Sequence, residues 1–319
     1  MGKVKKFAAI SLSILTLTGS GIAVAKRRDI TDWFILRSYE PTAEIVQISE
    51  RTTMTDKGRN LFYVYDPQLL DKDGFNTQCT IEEQSIVLGC YDGSGIYLYD
   101  ISDVRLEGVE EVTSAHEMLH AAYGRLSAKE KERVNNLTAI AVQNSTNTRI
   151  LNLIESYRLR EPSSVENEIH SIVGTEIREI PVELEEYYSR YFLNRLRVVE
   201  YSEQYEAVFV SLKTEVDKID ADLLLRKSEI DSLETSLKIQ AGELQAWETR
   251  LNAYKSNNQI AEYNSEVDDF NKSVVAYNAK LQKTRNLITE YNQKVVERNN
   301  LALQQNQLIK SLDSKATDL

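Results

Sequence analysis

The chain has 319 residues, of which 27% are charged, and a net charge of -11 at pH 7. Its length suffices for one catalytic domain with an extension or for two domains. The acidic balance argues against a general nucleic-acid-binding protein, whose surface would be basic. A hydrophobic content of 42% excludes a wholly disordered chain, and two cysteines exclude a disulfide-stapled miniprotein. Twelve glycines and four prolines are few for this length and favour helices.

The first segment, residues 1–28, has the composition of a targeting or anchoring sequence. Lysines precede an uncharged stretch over residues 7–25, and a basic cluster at 26–28 follows it. At about 1.5 Å per residue the stretch spans roughly the hydrocarbon core of a bilayer, which favours a retained membrane anchor. Residues 23–25 also match a cleavage site, so a secreted protein is the alternative. The first expectation is a single-pass membrane protein with an extracytoplasmic folded part.

A pair of cysteines and a strand pair are predicted next along the chain. Cys79 and Cys90 bracket one short segment, and in an exported domain such a pair is expected to form a disulfide. Two unrelated buried thiols are the alternative. Residues 85–91 and 96–101 are apolar and aromatic, and the turn residues 92–95 separate them. This pattern predicts two antiparallel strands.

Helix signals dominate the rest of residues 29–200. A helix is predicted over residues 109–123. Capping boxes at 127–130 and 163–166 predict the starts of two more helices, of which the second should end at Gly174.

Residues 201–319 change to a heptad pattern in which helix breakers are almost absent. Hydrophobic residues recur at alternating spacings of three and four from Phe209 to Tyr254 and from Tyr263 to Leu312, with a phase break at 256–259. The two arms predict an antiparallel helical hairpin, each arm about 70 Å long. A long parallel dimer is the alternative. The hydrophobic heptad positions would then contact a coiled-coil partner or a second copy of the chain.

The chemistry of the chain is concentrated in His116-Glu117-Met118-Leu119-His120, on the helix predicted over 109–123. Residues i and i+4 share a helix face, so both imidazoles can reach one metal ion. Glu117 is placed to act as a general base toward an attacking water. The alternative is an amphipathic helix with two solvated histidines.

A catalytic zinc ion needs a third protein ligand and one open position. His170 is the first candidate, and Glu168 and Glu176 are the alternatives. Glu168 and His170 lie two residues apart on a predicted helix, so they point to nearly opposite sides and cannot both be ligands. If Glu168 is the ligand, His170 is expected either to donate a hydrogen bond to the oxyanion nearby or to be a buried core histidine.

The segment 116–120 resembles the active-site helix of the zincin metallopeptidases, and two strands followed by a metal helix fit the zincin order. Asn167-Glu168 resembles the Asn-Glu of gluzincins, in which the Glu is a ligand, although Ile172 stands where that family usually has Asp. The resemblance implies an α+β zincin-like domain over residues 29–200, with a small antiparallel sheet and the HExxH helix. An all-α coiled-coil hairpin over residues 201–319 follows it.

The function implied by the resemblance is an exported, membrane-anchored zinc metalloendopeptidase that holds one Zn²⁺ and acts on a peptide or protein substrate. The membrane contact would be made through residues 7–25, and no nucleic-acid partner is expected. Two alternatives stay open. One is a coiled-coil scaffold or adhesin that carries an inactive zincin fold, and the other is a zinc amidase with the same metal centre.

Overall fold

The computed structural model describes residues 28–80 and 86–316. The chain divides into unit 1, which comprises Met1–Val208 and Leu308–Leu319, and unit 2, which comprises Phe209–Gln307. The first boundary lies close to the one predicted at 200/201. The last residues, however, return to unit 1 instead of belonging to the hairpin, because Asn76 and Ser314 are joined by two hydrogen bonds.

Unit 1 is mostly helical. Its elements in chain order are α1 (residues 28–38), α2 (Ala43–Arg51), α3 (Asp56–Val64), β1 (Gln68–Leu70), α4 (Lys72–Gln78), β2 (Gly89–Tyr91), β3 (Ile96–Tyr99), a 3₁₀ turn (Val104–Leu106), α5 (Val109–Gly124), α6 (Ala128–Asn144), α7 (Thr148–Arg160), α8 (Val165–Glu176), α9 (Val182–Tyr188) and the first part of α10 (Arg195–Ser256). Side-chain caps explain where several of these helices begin. Thr42 and Thr55 each accept a bond from a backbone N–H of the first turn, and Ser127 with Glu130 forms the predicted capping box.

The second predicted capping box and the predicted end of its helix are wrong. Ser164 precedes α8 without a side-chain capping bond, and α8 continues through Gly174 to Glu176. A Cβ at Gly174 would lie 2.4 Å from Cδ1 of Leu119 on α5. This glycine therefore lets two helices approach closely, and it does not end one of them.

The sheet has three short strands in the order β1-β3-β2. β2 and β3 form the predicted antiparallel pair, with Cys90 opposite Tyr97. β1 pairs with β3 in parallel, with Leu69 opposite Leu98, so the sheet is mixed and the expectation of an antiparallel sheet is corrected. The chain leaves β1 through α4, enters β2 in the opposite direction and reverses again in the turn between β2 and β3, so β3 runs parallel to β1.

Helix α5 lies at the centre of unit 1. It packs against α8, α2, α3 and the strands β2 and β3. Ala115, Met118 and Leu119 are completely buried on it. A helix that is apolar on most of its circumference must be buried, and this burial places the HExxH segment in the core.

Arg195 supports α8 from the start of α10. Its guanidinium is buried and donates hydrogen bonds to the carbonyls of Ile177 (2.8 Å) and Arg178 (2.9 Å), just beyond the end of α8. It also pairs with Glu185 at 2.9 Å. The charge complements the negative end of the α8 dipole, and the bonds satisfy carbonyls that the helix leaves unpaired.

Replacing Arg195 by Met is expected to lower the stability of unit 1 by about 3 kcal/mol, because buried carbonyls and Glu185 would lose their partner. Urea unfolding of the full chain measures the effect. Arg178→Met is the control, since its exposed pair with Glu203 is worth at most about 1 kcal/mol. Equal losses in the two variants would contradict the assignment.

Unit 2 is a pair of long helices, the second part of α10 and α11 (Ile260–Leu312) as far as Gln307. The turn falls at the predicted phase break, and Asn258 adopts a left-handed φ of 59° there. Arg298 on α11 donates to Asp220 at 3.1 Å, and Trp247 Nε1 donates to Glu266 at 2.6 Å. The predicted seam residues Ile219, Ile230, Leu237 and Leu251 of α10 and Thr284 of α11 are buried. These pairings confirm the intrachain antiparallel hairpin.

The expectation of a single-pass membrane protein is corrected here. Within residues 28–80 and 86–316, none of the helices combines the length and the apolar character that crossing a bilayer requires. The two longest, α10 and α11, carry charged residues throughout their length, which the hydrocarbon core would not accommodate. The segment 7–25, on which the expectation was based, lies outside the described residues.

Candidate metal centre

Two packed helices bring the candidate ligands together. α5 carries His116, Glu117 and His120, and α8 carries Glu168. The predicted i, i+4 spacing places both imidazoles on one face of α5. The two helices pack closely, with no room for a side chain at Gly174 beside Leu119, and the carboxylate of Glu168 reaches that face.

The carboxylate of Glu168 lies between the two imidazoles. Its Oε2 is 3.6 Å from Nε2 of His116, and its Oε1 is 3.6 Å from Nε2 of His120. The two rings are 4.7 Å apart between centroids and nearly perpendicular. One ligand atom from each of the three residues lies within 4.8 Å of the others. A single ion could therefore contact all three.

Burial and charge set the protonation of this group. Burial would lower the pKa of His116, but the neighbouring carboxylate of Glu168 and the charge of Glu117 raise that pKa to about 9. Burial and the charge of His116 lower the pKa of His120 to about 4. Burial would raise the pKa of Glu168, yet the neighbouring ring of His116 lowers it. The carboxylate thus favours one positive charge between the helices, which is the electrostatic requirement of a cation site.

The donor set fits a divalent transition-metal ion. Two imidazole nitrogens and one carboxylate oxygen are ligands found in catalytic zinc sites, and they suit related divalent ions as well. The amide oxygen of Asn167 is buried and has no hydrogen-bond partner, and the Asn167 side chain is close enough to His120 to raise its pKa. An acceptor at this place can hold the second ring N–H of a ligating histidine and so fix which nitrogen faces the metal.

His170, the first candidate for the third ligand, does not join the group. Its ring is completely buried, with Nε2 2.9 Å from the hydroxyl of Tyr187, and Tyr188 donates to its backbone carbonyl at 2.7 Å. Because it follows Glu168 by two residues on α8, its side chain leaves the helix on nearly the opposite side. The structure therefore places Glu168 beside the imidazoles and makes His170 a core histidine.

Glu176, the other alternative, is also held elsewhere. Its carboxylate accepts a 2.6 Å hydrogen bond from Arg149 on α7. This ion pair fastens the end of α8 to α7, and Glu176 is not part of the three-residue group.

Glu117 is buried and lies against strand β2. A Cβ at Gly89 would be 3.1 Å from Cγ and 3.2 Å from Oε1 of Glu117, and only 2.5 Å from Cγ2 of Thr113. Because Gly89 has no side chain, Glu117 has space to lie against β2. Gly89 was not among the predicted site residues, although a glycine inside a strand signals the close approach of another group. No role was predicted for Asn167 either.

The two cysteines form a disulfide, with their Cα atoms 6.0 Å apart. Cys79 directly follows the last residue of α4, and Cys90 is the central residue of β2. The bond thus ties a helix to the strand that contacts Glu117.

A separate cavity of about 620 Å³ is lined by residues of α1 and α3, by the end of α5 with Arg125 after it, and by Tyr191 beyond α9. Arg125 and Ala122 lie on the side of α5 opposite to His120, as their spacing requires. The cavity therefore does not belong to the candidate metal centre.

Comparison of the chain with protein-family models, with curated proteins and with solved structures gives no match.

Replacing Gly174 by Ala is expected to lower the affinity of the group for a divalent metal ion such as Zn²⁺ roughly tenfold, because the added Cβ would meet Leu119 and push α8 away from α5. Competition with a chromogenic chelator measures the affinity. Gly124→Ala is the matched control, since nothing lies within 4 Å of a Cβ there. An unchanged affinity in Gly174→Ala would show that the site tolerates a wider spacing of the helices.

Proposed function

We propose that this chain is a zinc-dependent hydrolase of peptide bonds, in which His116, His120 and Glu168 hold the ion and Glu117 is the general base. The observation that carries the proposal is that one ligand atom from each of these three residues lies within 4.8 Å of the others. The buried carboxylate of Glu117 is on α5, the helix that carries the two histidines. Zinc, when bound, supplies a Lewis acid for the substrate carbonyl and the attacking water.

Glu117 is the residue that would move the proton. A carboxylate oxygen of Glu117 accepts the proton of the attacking water and then delivers it to the nitrogen of the leaving amine. Its side chain is confined between α5 and Gly89, which limits the positions that the carboxylate can take. Such confinement keeps the base in the geometry that proton transfer requires.

Strand β2 supports a peptide as the substrate. β2 is at the edge of the sheet and pairs with β3 alone among the described strands. An extended peptide can add to an edge strand through main-chain hydrogen bonds. A peptide bound in this way would pass beside Glu117, and this favours a peptidase over an amidase that acts on small substrates.

Unit 2 supports a second candidate function. A hairpin of two long helices catalyses nothing by itself and is an extended surface that suits a scaffold. In this alternative, unit 1 binds the metal for stability, and no hydrolysis takes place.

The test uses the purified full chain. We expect about one zinc per chain by elemental analysis and the cleavage of a mixed peptide library by mass spectrometry. A chelator should abolish the cleavage, and added zinc should restore it. His116→Ala should lose both the metal and the activity. Absence of zinc from protein purified without chelators would overturn the proposal, and zinc without hydrolysis would favour the scaffold.

A further inference from the structure

We infer that the Cys79–Cys90 disulfide, together with the chain after α11, positions strand β2 against Glu117. The connection runs from residues 314–316 to α4, through the disulfide to β2, and from β2 to the candidate general base. All of these residues belong to unit 1. The catalytic consequence rests on the proposed function, whereas the mechanical part does not.

The first step is the contact between β2 and Glu117. Gly89 faces α5 so closely that a Cβ there would touch Glu117 and Thr113. Successive residues of a strand face opposite sides, so Cys90 points away from α5. The two faces of β2 are thus occupied by Glu117 on one side and by the disulfide on the other.

The second step is that β2 needs support from outside the sheet. It has three residues and pairs with β3 alone among the described strands. A strand this short at the edge of a small sheet is held weakly by its own hydrogen bonds. Cys90 and Cys79 are both buried and pack with Phe75 of α4. The disulfide therefore joins β2 covalently to α4.

The third step is the support of α4 itself. With seven residues, α4 is too short to be stable alone. Nδ2 of Asn76 donates to the carbonyl of Ser314 at 2.7 Å, and the Ser314 hydroxyl donates back to Oδ1 of Asn76 at 2.8 Å. Nζ of Lys72 donates to the carbonyl of Ala316. Ser314 is buried by these contacts, so the end of the chain fastens α4 in place.

Loss of this connection should affect metal binding and the position of Glu117 differently. The candidate metal ligands lie on α5 and α8, outside this connection. Release of β2 should therefore disturb the position of Glu117 and leave the metal ligands where they are. If the disulfide only stabilised the fold, its loss would affect both the position of Glu117 and the binding of the metal.

The experiment compares the wild-type full chain with C79A/C90A, in which no free thiol remains. Hydrogen exchange of residues 86–92, zinc affinity, kcat and KM are measured. We expect exchange in β2 to accelerate roughly tenfold or more and kcat to fall roughly tenfold, with zinc affinity changed by less than about twofold. Asn76→Ala, which removes the bonds to Ser314, should shift exchange in the same direction by less.

Leu184→Ala is the matched control for general destabilisation, because Leu184 is completely buried on α9 and lies outside the connection. It should lower the melting temperature while exchange in β2 and kcat stay close to the wild type. Unchanged exchange in C79A/C90A, or loss of zinc in parallel with kcat, would overturn the inference. If the wild type hydrolyses no peptide, the proposed function fails, and the exchange and zinc measurements still decide the positioning role.

Discussion

Glu168→Gln is expected to lower the zinc affinity of the chain roughly 100-fold or more, whereas His170→Gln should leave zinc bound. The carboxylate of Glu168 contacts both imidazoles at 3.6 Å, and the amide would remove the negative charge that balances the ion. His170 contacts Tyr187 and lies away from the group, so its replacement removes no ligand.

Chelator competition on the full-length variants measures both affinities, and circular dichroism shows that each variant is folded. His120→Ala serves as the positive control, because it removes a ligand whose place in the group follows from the helix spacing alone. Loss of zinc in His170→Gln together with retention in Glu168→Gln would place the third ligand at His170. It would also contradict the packing of α8 on α5 described above.

Glu117→Gln is expected to lower kcat for peptide hydrolysis by about 10² to 10⁴, the usual contribution of a general base, with zinc still bound. Gln has nearly the shape of Glu and fits the room beside Gly89, but its amide cannot accept the proton. Steady-state kinetics with the best peptide of the library give kcat and KM, and elemental analysis gives the metal content.

Glu110→Gln is the matched control for this variant. Glu110 lies on the same helix and accepts a hydrogen bond from the backbone of Ile101 at 2.9 Å, which Gln can also accept. Its turnover should stay within about twofold of the wild type. Wild-type turnover in Glu117→Gln would show that another group takes the proton and would leave Glu117 with a packing role.

The results for Glu117 and Glu168 together separate the candidate functions. A peptidase loses turnover in both variants but loses zinc only in Glu168→Gln. A scaffold with a structural metal shows the same change in zinc affinity and no turnover in any form of the chain.

Features that depend on local periodicity could be predicted from the sequence. His116 and His120 share a face because an α-helix repeats every 3.6 residues. The hairpin followed from two heptad seams and the phase break at 256–259, where α10 ends and α11 begins. The capping box at 127–130 formed as predicted because its bonds join residues three apart.

Features that depend on how distant elements pack could not be predicted from the sequence. Whether Glu168 or His170 lies beside the imidazoles depends on how α8 is rotated against α5, which the packing of the two helices sets. β1 is parallel to β3 because the chain reverses twice between them, and a pairing partner cannot be read from a strand's own residues. Gly89 is important for the site because Glu117, which is distant in sequence, occupies the space beside it. Local sequence fixes which side chains share a face, and packing fixes what that face contacts.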